Sequence, residues 1–148
     1  MTDKKPVKIM QSIQSELKAP KGQTNKFGGY SYRSAEDILE AVKPLLNKYD
    51  CFLTVSDEIV EVGGRVYVKA TATVQESHSD PIAVTTAFAR EAEVKKGMDE
   101  AQITGSASSY ARKYALNGLF AIDDTKDPDA TNKHGKDSPK PVNRTAEF

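Results

Sequence analysis

The chain has 148 residues, an apolar fraction of 38% and equal numbers of basic and acidic residues, 21 of each. This length suits one domain with tails, and the modest apolar fraction predicts a small core accompanied by some unfolded sequence. The balanced charge excludes nucleic-acid binding driven by global charge, so any such function must rest on local clusters of basic residues.

The cysteine and histidine content excludes further classes of site. The single cysteine, Cys51, cannot form an internal disulfide, and His78 and His134 are isolated, so the usual N/S metal-ligand spacing is absent. Cys51 opens an apolar run, which predicts a buried, unreactive thiol. No apolar run approaches the roughly 18 residues that span a bilayer, and the N-terminus carries no signal peptide pattern. We therefore expect a soluble intracellular protein.

The first predicted element is an amphipathic helix over residues 6–18, with Pro6 near its first turn. Its apolar side chains recur at helical spacing, at Val7, Met10, Ile13 and Leu17. Residues 19–29 are rich in glycine, proline and polar residues and predict a loop, and residues 30–33 predict a short extended segment.

A second helix is predicted to begin at Ser34, whose side chain suits an N-cap, with Asp37 in the position of the capping acid. Its apolar face consists of Ile38, Val42, Leu45, Leu46 and Tyr49. Pro44 lies within this pattern and predicts a kink, because its ring removes a backbone donor and crowds the preceding turn.

Three strands are predicted next, over residues 51–60, 65–74 and 82–90, with Gly63-Gly64 as the turn of a hairpin. The middle strand alternates between two faces, Val66, Val68, Ala70, Ala72 and Val74 on one and Arg65, Tyr67, Lys69, Thr71 and Thr73 on the other. This pattern predicts an antiparallel meander with helices covering one face.

The last helix is predicted over residues 98–117, with Asn117-Gly118 as its C-cap signal. Ile103, Ala107, Tyr110, Ala111 and Tyr114 share one face in projection, and we expect both tyrosines in the core. Arg112 lies opposite, and Ser106, Ser109 and Lys113 lie on a flank. The small residues over 105–109 lower helix propensity, which predicts close approach to a sheet, another helix or a polyanion.

Residues 123–148 contain almost no large apolar side chain before Phe148 and predict a disordered tail. The fold class predicted from these elements is α+β, with two N-terminal helices, a three-stranded antiparallel β-meander, and a helix that follows the sheet. We expect one domain over residues 1–122 and a tail over residues 123–148.

The motifs of catalysis are missing. No phosphate-binding G-x-x-x-x-G-K-[ST] loop occurs, so ATP is not expected as a cofactor, and no candidate nucleophile has a base partner. The acidic pairs at residues 36–37 and 99–100 suit helix starts. Asp123 and Asp124, with two further aspartates nearby, lack the spacing of a calcium loop. We expect a protein that is not an enzyme and that binds no metal or cofactor.

Three groups combine basic with aromatic or polar side chains. They are Lys26, Tyr30, Tyr32 and Arg33; then Arg65, Tyr67 and Lys69; and then Arg112 and Lys113, flanked by Ser106 and Ser109. Single-stranded nucleic acid is bound by cations that follow its phosphates and by rings that stack on its bases. The residues alone leave two functions open, nucleic-acid binding and a non-catalytic protein-interaction module.

Three segments carry a more specific signal: residues 30–38 (YSYRSAEDI), 95–116 (KKGMDEAQITGSASSYARKYAL) and 117–124 (NGLFAIDD). They resemble the essential recombination function (ERF) family of phage single-strand annealing proteins. The similarity extends from about residue 7 to residue 129, and the stretch Gly105–Asp124 is its most specific part. The tail shows no usable resemblance, and many family members extend further at the C-terminus.

The resemblance implies a phage or prophage protein of the bacterial cytoplasm that coats single-stranded DNA and anneals complementary strands without ATP. It implies a ring or a helical filament of identical subunits and a β-β-β-α core whose helix crosses the sheet. The family's core is similar to that of the eukaryotic annealing proteins, in which a basic pair on the helix contacts the DNA backbone, and Arg112 and Lys113 occupy the matching positions here. An annealed duplex, a host single-strand-binding protein and a phage exonuclease are the further partners that it suggests.

Overall fold

The fold is known from a computed structural model that describes residues 5–93 and 97–122. The predicted disordered tail, residues 123–148, lies outside the described residues. The described elements are α1 (Lys5–Glu16), β1 (Gln23–Asn25), β2 (Tyr30–Tyr32), α2 (Ala35–Lys48), β3 (Cys51–Val62), β4 (Arg65–Glu76), β5 (Pro81–Arg90) and α3 (Glu100–Phe120). The α+β class and the order of three antiparallel strands followed by a helix are confirmed.

The main sheet has the order β3-β4-β5, with both neighbouring pairs antiparallel. Gly63 and Gly64 connect β3 to β4 with φ angles of 58° and 79°, the positive values that a two-residue hairpin turn of type I′ requires. The alternation along β4 is confirmed, because Val68, Ala70, Ala72 and Val74 are buried while the residues between them remain half-buried. One face of the sheet is therefore the core face.

The helices cover this core face. α3 packs along β4 and β5, and α1 and α2 close the layer beside it. The side chains buried most completely between these layers are Ile13, Ile38, Val42, Val68, Val74, Leu116 and Phe120. The opposite face carries exposed Phe52, Val84 and Phe88, and we call it the open face of the sheet.

The start of α2 agrees with its prediction. The Ser34 side chain accepts a hydrogen bond from the Asp37 backbone, and the Asp37 carboxylate accepts one from the Ser34 backbone N–H. This reciprocal arrangement satisfies two of the donors that a helix start leaves without partners. The helix assignment continues through Pro44 to Lys48.

A second, two-stranded sheet is a correction to the predicted loop over residues 19–29. β1 and β2 pair antiparallel, with Gln23 opposite Tyr32 and Asn25 opposite Tyr30. The Gln23 side-chain amide lies 3.3 Å from each carboxylate oxygen of Asp37, which attaches this hairpin to the start of α2. Strands of three residues give too little alternation for a sequence pattern to detect.

The predicted C-cap at Asn117-Gly118 is wrong. α3 continues to Phe120 and ends at Ala121, which has a left-handed backbone with φ 58°. The glycine at position 118 has a different cause, because a Cβ there would lie 2.9 Å from the Cγ2 atom of Thr85 on β5. Gly118 therefore marks a point of close approach between α3 and β5, whereas a Cβ on Gly105 would meet nothing within 4 Å.

The predicted burial of two tyrosines is also wrong, since Tyr110 is 52% exposed and Tyr114 is 45% exposed. The buried stripe of α3 runs through Ile103, Ala107, Ala111 and Ala115. The tyrosines lie on the flank of the helix toward β5. Within residues 5–93 and 97–122, β5 is an edge strand, so none of the described strands covers this flank.

Candidate functional site

A cleft of about 370 Å³ lies between the β1-β2 hairpin, the start of α2 and the outer side of α3. We call it the hairpin cleft. It is lined by Asn25, Tyr30, Tyr32, Arg33, Ser34, Ala35, Glu36, Ser106, Ser109, Tyr110 and Lys113. Six of the ten residues predicted to bind DNA are among them, although they come from separate parts of the sequence. Glu36 contributes the only carboxylate among these lining residues.

The turn of the hairpin is held by its own side chains. The Asn25 side-chain oxygen accepts hydrogen bonds of 2.9 Å from the backbone of Phe27 and of Gly28. Its side-chain nitrogen donates a 3.0 Å hydrogen bond to the Tyr30 hydroxyl. A Cβ on Gly28 would lie 2.2 Å from the Tyr30 ring, so the glycine allows the ring to fold back over the turn. The position of Tyr30 is therefore fixed locally.

Aromatic rings and a cation meet at the base of the cleft. The Tyr30 and Tyr32 rings pack edge to face, with centroids 6.2 Å apart. The Lys113 ammonium lies 5.5 Å from the centroid of the Tyr32 ring, within the range of a cation–π interaction. The contact joins α3 to β2 and keeps a positive charge beside two half-buried rings.

Arg33 has a structural contact in addition to its place in the cleft lining. Its Nε atom donates a 2.6 Å hydrogen bond to the carbonyl oxygen of Ala19. The half-buried guanidinium thereby ties the segment before β1 to the segment that enters α2. Part of its hydrogen-bonding capacity is thus committed to the fold.

Lys26 lies at the exposed tip of the hairpin, next to Phe27. Phe27 is fully exposed, and sequence reasoning did not single it out. The sequence did contain a signal for this exposure. Asn25 and the two glycines after Phe27 are typical of a tight turn, and a tight turn exposes the residues at its tip.

Arg112 and Lys113 are neighbours in sequence, but their side chains leave α3 in different directions. The Arg112 side chain turns away from the hairpin cleft toward β3, where its Nε atom lies 3.3 Å from the Asp57 carboxylate. The Ser108 hydroxyl donates a 2.5 Å hydrogen bond to the same carboxylate. Asp57 thereby connects α3 to β3 through two contacts.

The group on β4 lies elsewhere. Tyr67 and Lys69 point to the open face, where the Tyr67 ring packs edge to face on Phe88 and the Lys69 ammonium lies 5.9 Å from the same ring. Arg65 lies at the start of β4, with its Nη1 atom 3.5 Å from the Glu93 carboxylate. On one protomer, therefore, this group and the hairpin cleft do not form one groove.

The pKa values of two groups are shifted, one at the start of α2 beside the cleft and one at the start of β3. The hydrogen bond from the Ser34 backbone lowers the pKa of the Asp37 carboxyl, and hydrogen bonds from Gln23 and the Ser34 side chain act in the same direction. Burial raises the pKa of the Cys51 thiol, which keeps it protonated and unreactive, and its predicted burial is confirmed.

Within residues 5–93 and 97–122, no group of three His, Cys, Asp or Glu side chains is placed to hold a metal ion. Over the same ranges, none of the helices combines the length and the apolar character that crossing a membrane requires.

Comparison with known proteins gives one family. A model described as the ERF superfamily matches residues 7–147 of the chain. The chain is 56% identical over 133 residues to a protein of Salmonella phage P22 named "Essential recombination function protein", a match that covers 90% of the chain and 63% of the phage protein. The chain thus spans less than two thirds of the length of this relative. No solved structure matches the chain.

Proposed function

The chain belongs to the ERF superfamily, and from this membership and the hairpin cleft we propose that it binds single-stranded DNA and anneals complementary strands during phage recombination. The reaction needs no ATP and no metal, and the protein acts by binding rather than by catalysis. The name of the relative from phage P22 supports the recombination role.

The observation that carries the proposal is the Lys113 ammonium placed beside Tyr32 and Tyr30 in one cleft. Aromatic rings stack on any base, and a nearby ammonium neutralises a phosphate. The start of α2 also lines the cleft, but the Glu36 and Asp37 carboxylates there offset the attraction of the first backbone N–H groups for an anion. A strand held through stacking and phosphate contacts is bound without regard to its sequence, as an annealing protein requires.

Annealing needs the base edges of the bound strand to remain available to a complement. Contacts to phosphates and sugars position a strand without reading its sequence, so they leave those edges free. A monomer with zero net charge attracts DNA weakly, whereas a ring or filament repeats Lys113 and Arg33 along a continuous track. We therefore include homo-oligomerisation in the proposal.

The edge of β5 is the surface that we propose for subunit pairing. From Ile82 to Ala89 this edge strand carries no charged residue, and only Arg90 and Pro81 stand at its ends. An uncharged edge strand presents backbone donors and acceptors that can pair with a strand of a second copy. The outer edge of β3 is the complementary surface. The β5 edge of one subunit would pair with the β3 edge of the next, and this head-to-tail contact would repeat along a ring or filament.

Replacement of single lysines tests the location of the site. We expect Lys113→Gln to weaken binding of an oligonucleotide and to reduce the slope of log affinity against log salt by about one. Lys43→Gln is the matched control, because Lys43 is exposed on α2 and pairs only with nearby Glu40 among the contacts of the described residues. Lys69→Gln and Arg112→Gln report on the open face and on the Asp57 contact in the same assay.

The readouts are fluorescence anisotropy for binding and the rate of duplex formation between complementary oligonucleotides, without nucleotide or metal. An unchanged affinity and salt slope in folded Lys113→Gln would move the site away from the hairpin cleft. A stronger effect of Lys69→Gln than of Lys113→Gln would place the strand on the open face. Binding without faster pairing would leave a coating protein that does not anneal.

A protein-interaction module is the competing function, and the exposed Phe52, Val84 and Phe88 on the open face favour it. It predicts partner binding that is insensitive to salt and no binding of a labelled oligonucleotide. A host single-strand-binding protein and a phage exonuclease remain proposed partners. Because the chain spans 63% of the phage P22 protein, contacts made by the remaining part of that protein are not attributed to this chain.

A further inference from the structure

Among the described residues, α3 borders several clefts, and the charges of their lining residues differ. One is the hairpin cleft. A second cleft of about 360 Å³ lies between α3 and the end of β5, and we call it the strand-end cleft. A third is lined by Arg65 but also by Glu91, Glu93 and Glu100. Three carboxylates around one arginine repel a phosphate chain, so this third cleft is excluded as a path for DNA.

The lining of the strand-end cleft carries positive rather than negative charge. Among the described residues that line it, Arg90 is the only charged one, and the others are small, apolar or aromatic. It shares Ser106 and Tyr110 with the hairpin cleft, so the two clefts adjoin at these two residues of α3. A strand that occupies the hairpin cleft therefore reaches the strand-end cleft by passing over Tyr110.

Two exposed tyrosine rings are stacked on each other on this part of α3. Tyr110 and Tyr114 are one helical turn apart, with ring centroids at 6.2 Å and planes inclined by 26°. Both residues are about half exposed, and within the described ranges neither hydroxyl makes a hydrogen bond to the protein. Neither core packing nor hydrogen bonding explains two neighbouring tyrosines at such exposure. Stacking on a flat apolar ligand does.

We propose that Tyr110 and Tyr114, with Arg90, form a stacking subsite for unpaired nucleobases, which continues the path of the strand from the hairpin cleft into the strand-end cleft. The inference rests on the proposed binding of single-stranded DNA and extends it. The rings take the bases, and the Arg90 guanidinium takes a phosphate. A purely apolar partner would leave Arg90 without a counter-charge in this cleft, which favours a nucleotide as the occupant.

Tyr114 is the residue to replace, because it lines the strand-end cleft and not the hairpin cleft. Tyr114→Leu keeps an apolar side chain with good helix propensity but removes the ring. We expect it to weaken binding of an oligothymidylate roughly 5- to 150-fold, the range that corresponds to loss of one base–aromatic stack. The salt slope should not change, because no cation is lost. Tyr114→Phe retains the ring and should bind like the wild type.

An abasic oligonucleotide of equal length supplies the second measurement. Wild type and Tyr114→Leu should bind it with the same affinity, because it offers no base to stack. The wild type should bind the abasic strand more weakly than the base-bearing strand, and equal wild-type affinity for both strands overturns the inference even if the variant does not fold. Because Tyr30 and Tyr32 also offer rings, folded Tyr114→Leu should reduce this difference without abolishing it, and an undiminished difference overturns the subsite.

The outcomes also separate this inference from the proposed function. If wild type binds and Lys113→Gln weakens binding while folded Tyr114→Leu does not, the hairpin cleft stands and the stacking subsite fails. If wild type binds no single-stranded DNA, the proposed function itself fails. If Tyr114→Leu changes the sedimentation velocity of the free protein but not the affinity difference between the two strands, the tyrosines contact a second copy of the chain, and the subsite fails.

Discussion

Arg112 and Lys113 are consecutive residues with different surroundings. A helix turns by about 100° from one residue to the next, so two neighbouring side chains cannot meet the same surface. Lys113 lies over Tyr32, while Arg112 is held at 3.3 Å from the Asp57 carboxylate on β3. Two cations that the sequence presents as one pair therefore serve two surfaces. On a single protomer, only Lys113 belongs to the hairpin cleft.

Asp37 is a second residue whose role depends on several neighbours. Its carboxylate accepts the Ser34 backbone N–H at the start of α2 and lies 3.3 Å from the Gln23 amide on β1. It thus attaches the β1-β2 hairpin to the start of α2, two of the elements that line the hairpin cleft. These hydrogen bonds favour the ionised form, which accounts for its lowered pKa.

The stability that Asp37 contributes should depend on pH. A carboxyl whose pKa is lower in the folded state stabilises the fold above its ordinary value of about 4, and this contribution is lost as pH falls through the folded pKa. We expect Asp37→Asn to reduce the free energy of unfolding at pH 7 by less than about 1 kcal/mol, because solvent screens the carboxylate. The difference from wild type should shrink as the pH falls below about 4 and should vanish only once the pH is below the folded pKa.

Urea denaturation at several pH values measures this difference. Asp80→Asn, in the exposed turn before β5, controls for the removal of one carboxylate. A gap between wild type and Asp37→Asn that is equally large at pH 3 and at pH 7 would contradict an ionised capping contact. It would show instead that the substitution acts through shape alone.

At the scale of elements, α3 contains two internal glycines with opposite surroundings. Gly105 faces open space, so its small side chain serves no packing, whereas a Cβ on Gly118 would lie 2.9 Å from Thr85. Glycine within a helix is about 1 kcal/mol less favourable than alanine. The two positions should therefore respond to the same substitution with opposite signs.

We expect Gly105→Ala to raise the free energy of unfolding by about 0.5–1 kcal/mol. Gly118→Ala should lower it by about 1–3 kcal/mol, because the β-branched Thr85 has little freedom to move aside. Thr85→Ser removes the Cγ2 atom and should restore part of the loss in the double variant. Urea titrations of the four proteins measure these changes. Gly118→Ala as stable as Gly105→Ala would refute the close approach.

The helices and strands of the main sheet were largely predictable, because their signals are local. The alternation of β4, the Gly63-Gly64 turn and the Ser34–Asp37 cap each depend on residues that are neighbours in sequence. The end of α3 was not predictable. Asn-Gly after a helical run has the form of a C-cap, and only the position of Thr85 on another element shows why Gly118 is a glycine.

The site was predictable in composition but not in arrangement. Sequence reasoning selected Tyr30, Tyr32 and Lys113, which lie together, but also Lys69, which lies on the open face. Strand alternation gives the face on which Lys69 lies, but it does not say which face the helices cover. The exposure of Tyr110 was missed for a related reason, because helical periodicity does not show where a narrow sheet ends.

At the scale of the whole molecule, the backbone of the edge strand β5 determines how copies can pair. The Glu91 N–H donates to the Val66 carbonyl of β4, so Glu91 and every second residue before it direct their N–H groups inward. The residues between them, Val84, Thr86, Phe88 and Arg90, direct theirs outward. The outward groups are the ones that a second copy would use.

Thr86→Pro removes one outward N–H from the middle of β5 without removing a hydrogen bond to β4, and proline is tolerated at such edge positions. If copies pair through this edge, Thr86→Pro should stay folded but sediment as a smaller species, and it should anneal more slowly because the cationic track is interrupted. Thr86→Val, which keeps the N–H, should assemble like the wild type. Sedimentation velocity with circular dichroism measures both properties. Unchanged assembly in a folded Thr86→Pro variant would exclude the β5 edge and leave the open face as the surface for pairing.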